Sequence, residues 1–196
     1  MTTHYTLFET AIGRCSVAWS GAGIICTQLP EGSDTRARAR LEKSFPGITE
    51  AAPPAPVEIT IARIVALLDG GKGDDLADVA LDMTRLPKFN RVVYAIARMI
   101  PPGATMTYGD IAKRLGGLEL ARDVGQALGK NPFPIIVPCH RVLAAGAKPG
   151  GFSARGGTAT KLKMLAIEGA YVSHTPSLFG DEAARDPAAV DARERH

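Results

Sequence analysis

The sequence predicts two unlike units in tandem. An α/β unit, a small antiparallel sheet with helices, is expected over residues 1–85. A mainly α unit containing a helix-turn-helix is expected over 86–170, with a tail at 171–196. Three observations lead there. Residues 4–29 consist of short runs of β-formers parted by glycines, as strands joined by tight turns are. Residues 88–130 instead space apolar side chains three and four apart, the period of helices with one buried face. The charge also reverses: residues 1–85 hold 8 Lys/Arg against 11 Asp/Glu, 86–170 hold 12 against 4, and 171–196 hold 3 against 5. A basic middle is what a phosphate-binding surface needs, and it says more than the net charge of +3.

Each element follows in order. Residues 5–8 and 15–19 read as strands, with Gly21-Ala22-Gly23 as a hairpin turn before a further strand. The charged, alanine-rich stretch 35–45 reads as a helix stopped by Pro46-Gly47. Residues 51–56 read as a proline-rich linker and 59–68 as a helix. Residues 76–83 alternate apolar and acidic side chains, the pattern of an edge strand. After Leu86-Pro87, residues 88–99 form an amphipathic helix ended by Pro101-Pro102-Gly103. Thr107 is an expected N-cap for a helix over 108–115. Gly116-Gly117 turns the chain into the next helix, 119–130, where Arg122, Gln126 and Lys130 share a polar face. Thr158 is expected to cap a last helix over 159–168, and a short helix is expected in the tail near Glu182.

Composition narrows the class. At 196 residues the chain holds one domain or two small ones. Its three irregularly spaced cysteines form neither a disulfide framework nor a zinc site, so no metal and a reducing, cytoplasmic setting are expected. Met1-Thr2-Thr3-His4-Tyr5 has no basic stretch followed by an apolar core, so no signal peptide is expected. No apolar run approaches the ~20 residues of a membrane span, and no membrane partner is expected.

The chemistry concentrates at Pro138-Cys139-His140-Arg141-Val142. A thiol reacts as thiolate, and a free cysteine titrates near ~8.5. Cys15 and Cys26 lie in apolar, strand-like stretches and read as core. Cys139 stands apart, because proline, histidine and arginine crowd it. Glu168 closes its helix at the end where the dipole disfavours a negative charge, so it needs a partner, and His140 is the natural one.

Further motifs stand in order around the cysteine: Ile100-Pro101-Pro102-Gly103, Thr107-Tyr108-Gly109-Asp110-Ile111-Ala112, Ala121-Arg122-Asp123-Val124-Gly125, Asn131-Pro132 and Leu165-Ala166-Ile167-Glu168-Gly169. From about Phe89 to Gly169 the chain resembles the O6-alkylguanine-DNA alkyltransferases. That resemblance implies a winged-helix-like second unit and a single-turnover transfer of an alkyl group from O6-alkylguanine in double-stranded DNA to Cys139, by a monomer with no cofactor. It implies that His140 links Cys139, through water, to Glu168. It places Tyr108 at the flipped nucleotide, helping to protonate the leaving guanine, and Arg122 in the gap left by the base. Gln126, Lys130 and Arg141 join the expected DNA-binding set. Asn131 is expected to brace the turn before the cysteine, and Pro138, Val142, Phe152 and Ser153 to wall the pocket.

Two positions depart from the family pattern. Phe152 stands where a tyrosine is common, and Asp123 follows Arg122 where alanine is common. The alternative reading is a non-catalytic alkyltransferase-like damage sensor, against which Cys139 argues. A cysteine hydrolase leaves Arg122 and the basic helix pair unexplained. A regulator of the adaptive-response type needs clustered metal-binding cysteines.

Overall fold

The computed structural model describes residues 2–71, 73–170 and 172. Strands β1 (His4–Phe8), β2 (Cys15–Ser20) and β3 (Gly23–Gln28) form an antiparallel meander. The short β4 (Thr49–Glu50) adds to β1 in parallel, giving the order β3-β2-β1-β4. The expected antiparallel sheet is therefore a mixed one. β2 is central, and its two faces serve two cores. Cys15, Val17 and Trp19 join the main core, whereas Ala18 joins Tyr5, Cys26, Leu41 and Ile48 beneath helix α1 (Asp34–Ser44). Burial on both faces explains why β2 reads as a continuous apolar run. Ser33 caps α1, its side chain accepting from the Arg36 N–H.

Helix α2 (Ala55–Leu68) begins four residues before the expected start. Pro56 falls in its first turn, where no backbone N–H is needed, so the proline-rich stretch launches the helix instead of linking to it. Residues 76–83 form no strand ladder. Leu81 makes a single bridge to Ile24, while the carbonyls of Leu76, Ala77 and Val79 all accept from Arg98 at 3.0, 2.7 and 2.8 Å. Carbonyls turned toward one guanidinium cannot also line up along a neighbouring strand. Arg63, forked across Asp74 and Asp78, fixes the same segment from its other side.

The second unit comprises α3 (Lys88–Arg98), β5 (Met106–Thr107), α4 (Tyr108–Leu115), α5 (Ala121–Gly129), β6 (Val142–Leu143) and α6 (Gly157–Ile167). Thr107 caps α4, as expected, and Asp110 completes a reciprocal capping box with it. A short 3-10 turn, Leu118–Leu120, separates α4 from α5. α6 starts two residues earlier than expected, with Gly156 at a φ of +83° as its cap. Thr158 instead donates its hydroxyl to the Gly150 carbonyl at 3.3 Å. The apolar run at 133–137 is buried but is no strand; Ile135 sits at a φ of +78°. The main core includes residues of both units, from Cys15 to Met164. No helix among the described residues is long and apolar enough to cross a membrane.

Candidate active site

Two backbone devices deliver Cys139. Asn131 bridges the preceding turn, donating to the Val137 carbonyl at 2.9 Å and accepting from the Phe133 N–H at 2.9 Å. Both of its side-chain groups brace the turn. After the cysteine, β6 pairs in parallel with β5, Met106 opposite Val142 and Thr107 opposite Leu143. That pairing ties the start of α4, and hence Tyr108, to the cysteine segment. Tyr108, Cys139, Phe152 and Ser153 line one cavity of about 460 Å³. Cys139 is half-buried at its edge, while Cys15 and Cys26 are buried.

Behind the thiol lies a cluster of buried charges. His140 is 1% exposed, and its Nε2 lies 2.9 Å from Glu168 Oε1. Arg141 is 0% exposed; it donates from Nε and Nη2 to the two Glu168 oxygens at 2.9 and 2.8 Å, and from Nη1 to the Ile100 carbonyl at 2.6 Å. A guanidinium with every direction spent inside the protein cannot reach a phosphate. Arg141 therefore leaves the DNA-binding set and becomes the clamp on Glu168. Burial opposes the Glu168 charge, but the hydrogen bonds from His140 and Arg141 prevail and hold its pKa at about 2. An ionised carboxylate only accepts, so His140 Nε2 carries the proton and Nδ1 is the bare, basic nitrogen. Nδ1 is buried with no hydrogen-bond partner among the described residues. Burial lowers the His140 pKa despite Glu168, which keeps the ring neutral and able to accept a proton.

Lys161 escaped the sequence reading. It is 0% exposed, donates to the Val142 carbonyl at 2.6 Å, and holds Nζ 5.9 Å from the ring centres of both Tyr108 and Phe152. Burial lowers its pKa to about 8. One signal existed: it precedes Glu168 by two helical turns and so shares its face of α6. Burial raises the Cys139 pKa, while a hydrogen bond from Asn131, the Lys161 charge and the backbone N–H groups of Cys139 and His140 act in the opposite direction. The resting thiol is thus protonated, beside a neutral base and a cation suited to its thiolate.

Pro138 and Val142 are buried, and neither lines the two cavities that open on Cys139. The β5–β6 pairing turns Val142 into the core, so these two residues back the cysteine and do not wall the pocket. Arg122 and Gln126 are exposed on α5, and Lys130, also exposed, sits at its C-cap. The expected tail helix lies outside the described residues.

Comparison with known proteins agrees with this geometry. The model of the 6-O-methylguanine DNA methyltransferase DNA-binding domain matches residues 88–170. A methylated-DNA–protein-cysteine methyltransferase of Methanothermobacter thermautotrophicus is 32% identical over 154 residues, 78% of each chain. That of Mycobacterium bovis is 33% identical over 178 residues, covering 90% of this chain and 98% of the relative. The crystal structure of Mycobacterium tuberculosis OGT in complex with DNA superposes with a TM-score of 0.67 at 31% identity, covering 85% of this chain and 92% of that one. At 33% identity to the Mycobacterium bovis protein over 90% of its length, the chain belongs to the methylated-DNA–protein-cysteine methyltransferase family.

Proposed function

We propose that the protein repairs double-stranded DNA by moving the alkyl group of O6-alkylguanine irreversibly to Cys139. The observation that carries this is a half-buried thiol next to a neutral histidine whose far nitrogen is held by an ionised carboxylate. His140 Nδ1 takes the thiol proton through water. The thiolate attacks the alkyl carbon, the S–C bond forms, and the C–O6 bond breaks with its electron pair going to guanine. Tyr108, whose pKa is raised by burial and by Cys139, keeps its proton and delivers it to the leaving base. The thioether is stable, so each molecule acts once and no cofactor takes part.

DNA recognition in this reading is the work of α4 and α5 as a helix-turn-helix within a winged-helix-like unit, residues 86–170. α5 enters the minor groove, Arg122 fills the gap of the flipped nucleotide, and Gln126 and Lys130 meet the backbone. Residues 1–85 form the companion unit, and the protein acts as a cytoplasmic monomer. The test is incubation with duplex DNA radiolabelled on the O6-methyl group. Label should move to protein in a one-to-one burst. DNA binding without transfer would leave the damage-sensing reading in its place.

A further inference from the structure

Two cavities open on Cys139, and Phe152 and Ser153 line both. The first, of about 460 Å³, includes Tyr108 and Gly125. The second, of about 290 Å³, runs toward the first unit, past Gln28, Glu31 and Arg40. The loop carrying Phe152 and Ser153 is tied to α6 at both ends: Thr158 donates to the Gly150 carbonyl at 3.3 Å and Thr160 to the Arg155 carbonyl at 2.8 Å. Its outer edge is tied to the other unit. Arg155 Nη1 donates to the Glu31 carbonyl at 3.0 Å, and Glu31 is itself paired with Arg40. The guanidinium lies against Gly32, where an added Cβ would sit 2.9 Å from Arg155 Cζ. Gly32 has a φ of +86°, so both its backbone and its missing side chain suit this close approach.

We propose that Arg155 is a positioning residue that determines specificity. By latching the 150–156 loop to residues 31–32, it holds Phe152 and Ser153 as a wall between the two cavities and so limits the size of the O6 substituent that Cys139 accepts. The proposal rests on the alkyl-transfer reading. A methyl group fits in front of the wall and is indifferent to the latch. A benzyl group needs the space behind it. Arg155 is exposed, so removing its side chain opens no void in the core.

The test is the rate of Cys139 alkylation, read by intact-protein mass spectrometry, on one duplex carrying either O6-methylguanine or O6-benzylguanine. Arg155→Ala should raise the benzyl-to-methyl rate ratio about tenfold, the scale of a lost pocket contact, with the methyl rate and the thermal midpoint close to the parent's. Gly32→Ala should raise the ratio similarly, because its Cβ displaces the guanidinium. The double variant should show no further rise, since both changes break one contact. An unchanged or lower ratio in Arg155→Ala overturns the proposal, as do rises that multiply in the double variant. A parent protein that transfers neither group would instead overturn the alkyl-transfer reading itself.

Discussion

Arg141 and Arg122 are the same side chain in opposite surroundings. Arg141 has no exposed surface and spends its guanidinium on Glu168 and the Ile100 carbonyl. Arg122 stands exposed near the start of α5. The difference separates two kinds of charge in this protein. The cluster of His140, Arg141, Lys161 and Glu168 works where the dielectric is low and each charge must be matched. The α5 face works in water, where charges stay free to meet a partner. A basic stretch of sequence thus mixes cations that build a site with cations that serve a surface, and burial sorts them.

The sharpest separation should come at the thiol. Cys139→Ala should abolish alkyl transfer and leave DNA binding intact, as a gel-shift titration beside the transfer assay would record. In the parent, peptide mass spectrometry should find the added methyl on Cys139 alone, because burial pushes the pKa of Cys15 to about 11 and of Cys26 to about 12. A methyl on either of those would break the assignment of Cys139.

Stability should divide the two arginines next. Arg141→Ala strands a buried carboxylate and should cost about 3–5 kcal/mol in urea unfolding, whereas Arg122→Ala should stay within about 0.5 kcal/mol. Equal costs would erase the distinction between clamp and contact. The pH dependence has a definite sign. The Glu168 pKa of about 2 lies below its unfolded value, so its stabilisation is full above that unfolded value, near ~4.3, and is lost as pH falls toward 2. His140, depressed by burial, adds to the decline: below its unfolded value of ~6.5 the unfolded chain takes up the proton first. Glu168→Gln should remove the Glu168 share of the acid loss below ~4.3 and leave the share of the exposed pairs, such as Asp74 with Arg63.

Function should divide them the other way. Arg122→Ala should slow repair of duplex DNA about a hundredfold, the scale of the unstacking energy that the lost contact helps to offset, and should leave reaction with free O6-benzylguanine unchanged. Equal losses on both substrates would remove Arg122 from the flipping step.

A smaller effect is expected at Lys161, which is charged below about 8. Lys161→Met removes the cation beside the thiol, so the rising limb of the pH–rate profile should move up by about one unit. No movement would confine Lys161 to packing. The smallest effect concerns Asp123, exposed beside Arg122. Asp123→Asn should tighten DNA binding slightly and make its salt dependence steeper; unchanged binding would show that the carboxylate faces away from phosphate.

Several readings survived because they rest on short-range chemistry. The meander, the N-cap at Thr107 and the pairing of Glu168 with His140 need little more than local pattern or an obligatory partner. Others failed for long-range reasons. Residues 76–83 carry a strand's alternation, but Arg98 on α3 takes their carbonyls. Val142 was expected in the pocket wall, but pairing with β5 turns it inward. Neither competing partner is near in sequence.

By itself the sequence marked Cys139 as the candidate reactive thiol, showed which stretches have helical or strand periodicity, and required a cation or a proton donor beside the carboxylate at the end of α6. Those follow from side-chain chemistry and from the 3.6- and 2-residue periods of the backbone. Only the tertiary structure decided that Arg141 is a clamp and Arg122 a surface group, that Lys161 joins the thiol's surroundings, and that Arg155 reaches across to residues 31–32. Burial and the match between distant charges set those roles. Both are properties of how the elements are stacked, and a local pattern carries no record of them.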